Sequence, residues 1–267
     1  MPTPIGNISD ISLRAMEMLS QADILLCEDT RITKKLLNLL QERYQLQRKE
    51  QRFISLHSHN EQHFIETLDP SFFDGNVVYA SDAGMPGISD PGQQLVRYCI
   101  DHDIAYDVLP GANAVLTAFA ASGFVETQML FFGFLPHKGN ERSSALQQAL
   151  HNGFTTILYE SPHRLGKLLD ELEAEVPDRR LFAAKELTKK FQRYLNGTAG
   201  QIKAELGGIF RGEWVVVIEA GEARKSTLGE RDILALDLPK KAAAKLIAKV
   251  TGESPKACYQ RLVNAEG

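Results

Sequence analysis

The sequence predicts an α/β protein built as two layered units with a small helical appendage behind them. Three observations predict this. Short β-branched or apolar runs alternate with amphipathic stretches over most of the chain. A Pro-Gly break at Leu109-Pro110-Gly111-Ala112 separates one such series from the next. Beyond Gly221 the strand signal stops. Strand and helix in alternation make layers in which helices cover largely parallel sheets.

The expected strands are Asp23 to Cys27, Arg52 to Leu56, Asn76 to Ala80 and Ala105 to Leu109, then Met129 to Phe134, Thr155 to Tyr159, Leu181 to Ala184 and Trp214 to Glu219. Between them Leu13-Met16-Leu19, Leu95-Tyr98-Cys99 and Leu165-Leu168-Leu169-Leu172 repeat at spacings of three and four, the period of one helix face. Ala114 to Ala121 and Ile32 to Leu40 also read as helices. The units are placed at 1–111 and 112–221, the second ending in the polar run Gly221-Glu222-Ala223-Arg224-Lys225. Residues 222–267 hold two short helices, Pro239 to Val250 and Ser254 to Asn264, around Thr251-Gly252-Glu253, in the manner of a helix-turn-helix.

Composition sets limits on function. The chain has 267 residues, 43% hydrophobic and 24% charged, enough to bury a sizeable core without disulfides. Cys27, Cys99 and Cys258 are far apart and fit neither a zinc spacing nor a disulfide framework, which points to a reducing cytoplasm. No apolar run approaches the roughly 20 residues of a membrane helix, and Met1-Pro2-Thr3-Pro4 lacks a signal-peptide pattern. A net charge of −4 argues against a basic coat but leaves room for a local patch. One lies between residues 240 and 261, where Lys240, Lys241, Lys245, Lys249, Lys256 and Arg261 face Glu253 alone. Lys241 and Lys245 are candidate phosphate contacts, and solvated outer-face lysines are the plain alternative.

The most informative segment is Ser81-Asp82-Ala83-Gly84-Met85-Pro86-Gly87-Ile88-Ser89-Asp90-Pro91-Gly92, directly after the strand Asn76 to Ala80. Glycines and prolines at a strand's C-terminal end make a tight loop with exposed backbone groups, where open α/β sheets bind ligands. Turn chemistry alone would also explain it. Neither a dinucleotide fingerprint nor a Walker A loop is present.

Ser81 to Gly92, Thr3-Pro4-Ile5-Gly6-Asn7, Leu109-Pro110-Gly111 and Leu158 to Arg164 resemble signatures of the tetrapyrrole-methylase superfamily. Cys27-Glu28-Asp29-Thr30-Arg31, His59-Asn60-Glu61, Gly133-Phe134-Leu135-Pro136 and Glu186-Leu187-Thr188-Lys189 resemble one branch of it, the ribosomal RNA small subunit methyltransferase I family. The resemblance covers residues 3 to 264 in order. It implies a tetrapyrrole-methylase-like fold with a cofactor cleft between its two α/β domains. It implies S-adenosylmethionine as cofactor, 2′-O-methylation of a cytidine ribose in the decoding region of small-subunit rRNA, and a homodimer. Ile5, Ala83, Gly84, Met85 and Ile88 would line the cofactor from one side, and Asn113, Ala114, Glu160 and Leu187 from the other. One departure concerns the start: the family carries a short strand before Thr3, expected mid-sheet, and here only Met1 and Pro2 precede that residue.

A ribose hydroxyl needs a proton acceptor. Glu28 and Asp29, after a strand, are the first candidates, and Arg31 suits a phosphate; Asp29 or Thr30 as helix N-cap explains the same residues. Lys189 is a second candidate, as base or electrostatic clamp, against the commoner fate of a solvated lysine. His59, His163 and Arg164 are candidate RNA contacts, while capping alone explains Ser161 and Pro162. Three rival functions compete: a small-molecule methyltransferase of the same fold, a metal-dependent hydrolase using His57, His59, Asp82 and Asp90, and a non-catalytic nucleic-acid binder led by the tail.

Overall fold

The computed structural model describes residues 1–223, 230–236 and 238–264. Arg224 and Lys225, expected at the end of the second unit, lie outside the described residues.

The first sheet contains β1 (Ile24–Cys27), β2 (Arg52–Ser55) and β3 (Val77–Ala80) in the order β2-β1-β3, all parallel. Successive side chains of β1 point to opposite faces. Leu25 and Cys27 pack with Leu19 of α1 (Leu13–Gln21) and with Leu37 and Leu40 of α2 (Thr30–Tyr44). Leu26 joins Leu56, Tyr79 and Leu95 on the other face, beside α3 (Glu61–Glu66) and α4 (Gln93–Asp101). Ser12 caps α1 by accepting from Ala15 N–H at 3.0 Å.

The expected strand at Ala105 to Leu109 does not form. Its apolar residues have no neighbour to pair with, and Tyr106 and Val108 stay 49% and 54% exposed. Among the described residues no strand covers the outer edge of β3. The Met1 amine reaches that edge, donating to the Tyr79 carbonyl at 2.6 Å.

The second sheet contains β4 (Met129–Phe134), β5 (Thr155–Glu160), β6 (Leu181–Lys185), β7 (Arg193–Gly197) and β8 (Trp214–Ile218) in the order β4-β5-β8-β6-β7. It corrects the expectation of largely parallel sheets, since only β4 and β5 run parallel. The short link between β6 and β7 allows only an antiparallel return. One face packs Leu158, Ala183 and Val216 against the leucines of α6 (Gly139–Leu150), α7 (Leu165–Glu175) and α8 (Ala199–Leu206). The other packs Ile157, Phe182, Val215 and Val217 against Val115 and Ala118 of α5 (Ala114–Ser122), with Ile5 and Leu187 joining the same cluster. That face looks toward the loops of the first sheet.

The C-terminal segment packs α9 (Glu230–Leu234), α10 (Lys240–Thr251) and α11 (Pro255–Asn264) around its own core of Ile233, Ala244, Ile247 and Cys258. Lys241, Lys245 and Lys249 are exposed on α10, whereas Arg261 is held by Glu253 and Glu230. Among the described residues no helix is long and apolar enough to cross a membrane.

Candidate active site

The glycine-rich loop is fixed at both ends. Thr3 N–H donates to the Gly84 carbonyl at 2.9 Å, and Gly84 N–H returns the bond at 3.0 Å. The Ser81 hydroxyl also donates to the Gly84 carbonyl, at 3.0 Å. At the far end the buried Glu61 accepts from Gly92 N–H at 2.7 Å, which gives the His59-Asn60-Glu61 motif a structural task. Gly84 sits at φ +82°, and a Cβ there would lie 3.1 Å from Ile5 Cγ2. Only glycine takes this backbone without strain while leaving Ile5 in place.

Between this loop and the inner face of the second sheet lies a pocket of about 370 Å³, within the roughly 300–1,000 Å³ of small-molecule sites. Ile5, Ala83, Gly84, Met85 and Ile88 line it from one side; Asn113, Ala114, Glu160 and Leu187 line it from the other. Every residue expected to meet a cofactor thus surrounds one cavity. The Asn113 side-chain oxygen is already engaged, capping α5 by accepting from Leu116 N–H at 3.0 Å.

Phe134 and Tyr159, read in the sequence only as members of motifs, also line the pocket, as do Glu213 and Trp214, which the sequence did not single out. Strand alternation identifies which face such residues share, but not which strands stand next to each other. Asp90 also lines the pocket, though the sequence suggested it only as a metal ligand. Burial, then the charges of Glu28 and Asp82, pushes its carboxyl up to about 6. Burial likewise raises Asp82, which accepts from Asp29 N–H at 2.9 Å. Glu28 in turn accepts from Asp82 N–H at 3.2 Å. The strand ends of β1 and β3 are therefore joined by carboxylates, and the pocket mouth is acidic.

Three expected roles need correction. Asp29 is the N-cap of α2 and is gripped by Arg31, whose hydrogen bonds hold its carboxyl at about 2. A base so weak accepts a proton poorly. Lys189 lies outside the pocket, paired with Glu213 at 2.6 Å and Glu186 at 3.3 Å. Against the opposing effect of its burial, these partners raise its ammonium above the ordinary lysine value, which leaves it a clamp and removes it as a base. Arg164 turns inward: its Nε stands 3.2 Å from Glu160 and its Nη2 donates to the Leu135 carbonyl. Glu160 is 2% exposed, so its charge needs that partner more than RNA does. His163, His59 and the Arg31 side chain remain exposed.

His57 and His59 meet edge to face at 6.0 Å. Among the described residues no group of three or more histidine, cysteine or acidic side chains converges as metal ligands do.

Residues 2–203 match the family model of the tetrapyrrole (corrin/porphyrin) methylases. The solved structure of cobalt precorrin-4 methyltransferase, a cobalamin biosynthetic enzyme, superposes with a TM-score of 0.56 at 16% identity, covering 82% of this chain and 92% of that one. Uroporphyrin-III C-methyltransferase of Thermus thermophilus, solved with S-adenosylhomocysteine, gives a TM-score of 0.53 at 16% identity, covering 82% and 95%. Fold and pocket define a methyltransferase of the tetrapyrrole-methylase class.

Within that class, a ribosomal RNA small subunit methyltransferase I of Helicobacter pylori is 44% identical over 98% of this chain and 96% of its own length. Its namesake in Campylobacter fetus is 44% identical, covering 98% of both chains, and the one in Escherichia coli O157:H7 is 36% identical, covering 100% and 94%. The chain belongs to the ribosomal RNA small subunit methyltransferase I family.

Proposed function

We propose that this enzyme transfers the methyl group of S-adenosylmethionine to the 2′-hydroxyl of a cytidine ribose in the decoding region of small-subunit rRNA. The observation that carries the reading is the single pocket in which the expected cofactor residues from both sides of the cleft meet. Its chemistry fits. Ile5, Leu187 and Trp214 offer apolar walls, and Asp90 offers negative charge to a ligand bearing ammonium and sulfonium groups. The Glu160 Oε2 is buried without a hydrogen-bond partner, a state that a ligand donor would relieve.

S-adenosylmethionine supplies an electrophilic methyl that leaves a neutral thioether behind. The chain's part is to hold donor and acceptor in line, which is worth roughly 7–11 kcal/mol, and to take the proton of the ribose hydroxyl. Asp90 is the acceptor we assign. It lines the pocket, and a carboxyl at about 6 is largely ionised at neutral pH yet far more basic than Asp29. The division at residues 1–111, 112–221 and 222–267, the homodimer and a cytoplasmic location with the ribosomal subunits belong to the same proposal. In it Arg31, His59 and His163, with Lys241 and Lys245 of the tail, contact RNA.

The test combines purified protein, labelled S-adenosylmethionine and small ribosomal subunits lacking the modification, followed by mapping of the labelled nucleotide. Label on a cytidine 2′-oxygen is expected. Label on a base, or on small molecules alone, would overturn the reading. The loop itself is tested by Gly84→Val. A β-branched residue in the left-handed region costs about 1–3 kcal/mol, here added to the clash with Ile5. Affinity for S-adenosylmethionine is expected to fall at least about tenfold by calorimetry, and an unchanged value would reduce the loop to a connection.

A further inference from the structure

On the far side of the pocket's wall lies a second cavity. It is an open groove of about 990 Å³ whose floor is Gly6 to Ile8. One side is α2, with Leu39, Glu42 and Arg43; the other is the turn Thr188-Lys189-Lys190. Groove and pocket share their partition, because Ile5 and Leu187 line the pocket while the next residues, Gly6 and Thr188, line the groove.

The partition is tightly built. A Cβ on Gly6 would lie 2.8 Å from both the Leu187 carbonyl oxygen and Thr188 Oγ1. Thr188 holds φ +63°, a left-handed backbone that a β-branched residue adopts only under constraint. That constraint comes from Asn7 N–H, which donates to Thr188 Oγ1 at 3.0 Å, and from Gln192 Oε1, which accepts from Thr188 N–H. The turn so fixed presents Lys190 and Phe191 outward.

Two features stand in and beside the groove. Arg43 and Lys190 are exposed and make no ion pair among the described residues, unlike Lys189, which Glu186 and Glu213 neutralise. Phe191 follows the groove-lining Lys190 in the chain, beside the groove, and is 70% exposed, with the Lys190 ammonium 5.6 Å from its ring centre. Cations along a groove beside a bare aromatic ring are the elements that hold single-stranded nucleic acid, phosphates on the cations and a base on the ring. Glu42 on the α2 wall offsets part of that positive charge.

We infer that this groove carries the single-stranded RNA flanking the methylated nucleotide, with Arg43 and Lys190 on its phosphates and Phe191 stacked on a base. The inference rests on the rRNA reading above and adds a track which that reading does not contain.

The experiment is fluorescence anisotropy with a labelled single-stranded RNA of the target sequence, on the full-length protein, across a salt series. Arg43→Ala/Lys190→Ala is expected to weaken binding about tenfold or more and to flatten the slope of log affinity against log salt by about 1.4, or 0.7 for each lost phosphate contact. Phe191→Ala is expected to weaken it about tenfold with the slope unchanged, as loss of stacking without loss of charge. Both variants should bind S-adenosylmethionine as the wild type does. RNA affinity and slope unchanged in the double variant would overturn the inference. So would a shift in oligomeric state with RNA affinity intact, which would assign the groove to a second copy of the chain. Wild-type methyl transfer to rRNA separates the two failures: if it proceeds while the variants bind normally, only the groove assignment falls, and if it is absent, the rRNA reading falls with it.

Discussion

Replacing Asp90 with asparagine is expected to lower kcat for methyl transfer by about 10²–10⁴-fold, the usual contribution of a placed general base. The substitution keeps the shape and removes the proton acceptor. In the wild type, kcat/KM should rise with pH through about 6, because only the ionised carboxylate accepts the ribose proton. The variant should lose that limb. Stability moves the other way. Burial raises this carboxyl, so its contribution to folding is fully present below the ordinary aspartate value and is lost as pH rises through about 6. At pH 7 the asparagine variant should therefore melt no lower than the wild type, which separates lost chemistry from lost structure. A kcat within about tenfold of wild type, with the pH limb retained, would remove Asp90 from the chemistry.

The second large effect lies behind the pocket. Arg142 on α6 is 2% exposed. Its guanidinium donates to Glu171 at 2.7–3.0 Å and to the Pro136 carbonyl at 3.0 Å, and stands 3.8 Å from the buried Glu160. Arg142→Ala leaves Glu160 with Arg164 as its remaining cationic partner and opens a large void. Breaking a buried pair in this way costs about 3–5 kcal/mol, read as a lower urea midpoint with an unchanged slope. Lys167→Ala is the control. It removes an exposed partner of the same Glu171, 3.8 Å away, and should cost less than about 1 kcal/mol. A loss below that level for Arg142→Ala would mean that the arginine packs as an aliphatic chain.

Much of the site was legible because its residues lie in local motifs. The glycine-rich run after β3 and the Pro-Gly turn before α5 could be placed at strand ends from the sequence alone, and family resemblance supplied the partners across the cleft. What stayed hidden depends on neighbours distant in the chain. β7 buries only Leu195 fully, so its alternation is too faint to announce an edge strand. Conversely, Ala105 to Leu109 has the composition of a strand but lacks a neighbour. α8 carried a readable signal, the Thr198–Gln201 capping box. Arg142 could not be read at all, since a helix with an arginine on its inner face looks polar until Glu171 and Glu160 are seen beside it. Asp29 and Lys189 had the right residue types in the right neighbourhood, and only the geometry of Arg31 and Glu213 assigns their charges elsewhere.

The bridge between Thr3 and Gly84, and the bond from Asn7 to Thr188 across 181 positions, tie the binding loop and the partition behind it to the first residues of the chain. Closing loops this long costs chain entropy, which the packing of the finished cleft has to offset. Capacity to bind the methyl donor thus depends on segments far apart in the chain: loosening the first residues should free the glycine-rich loop even with both sheets intact.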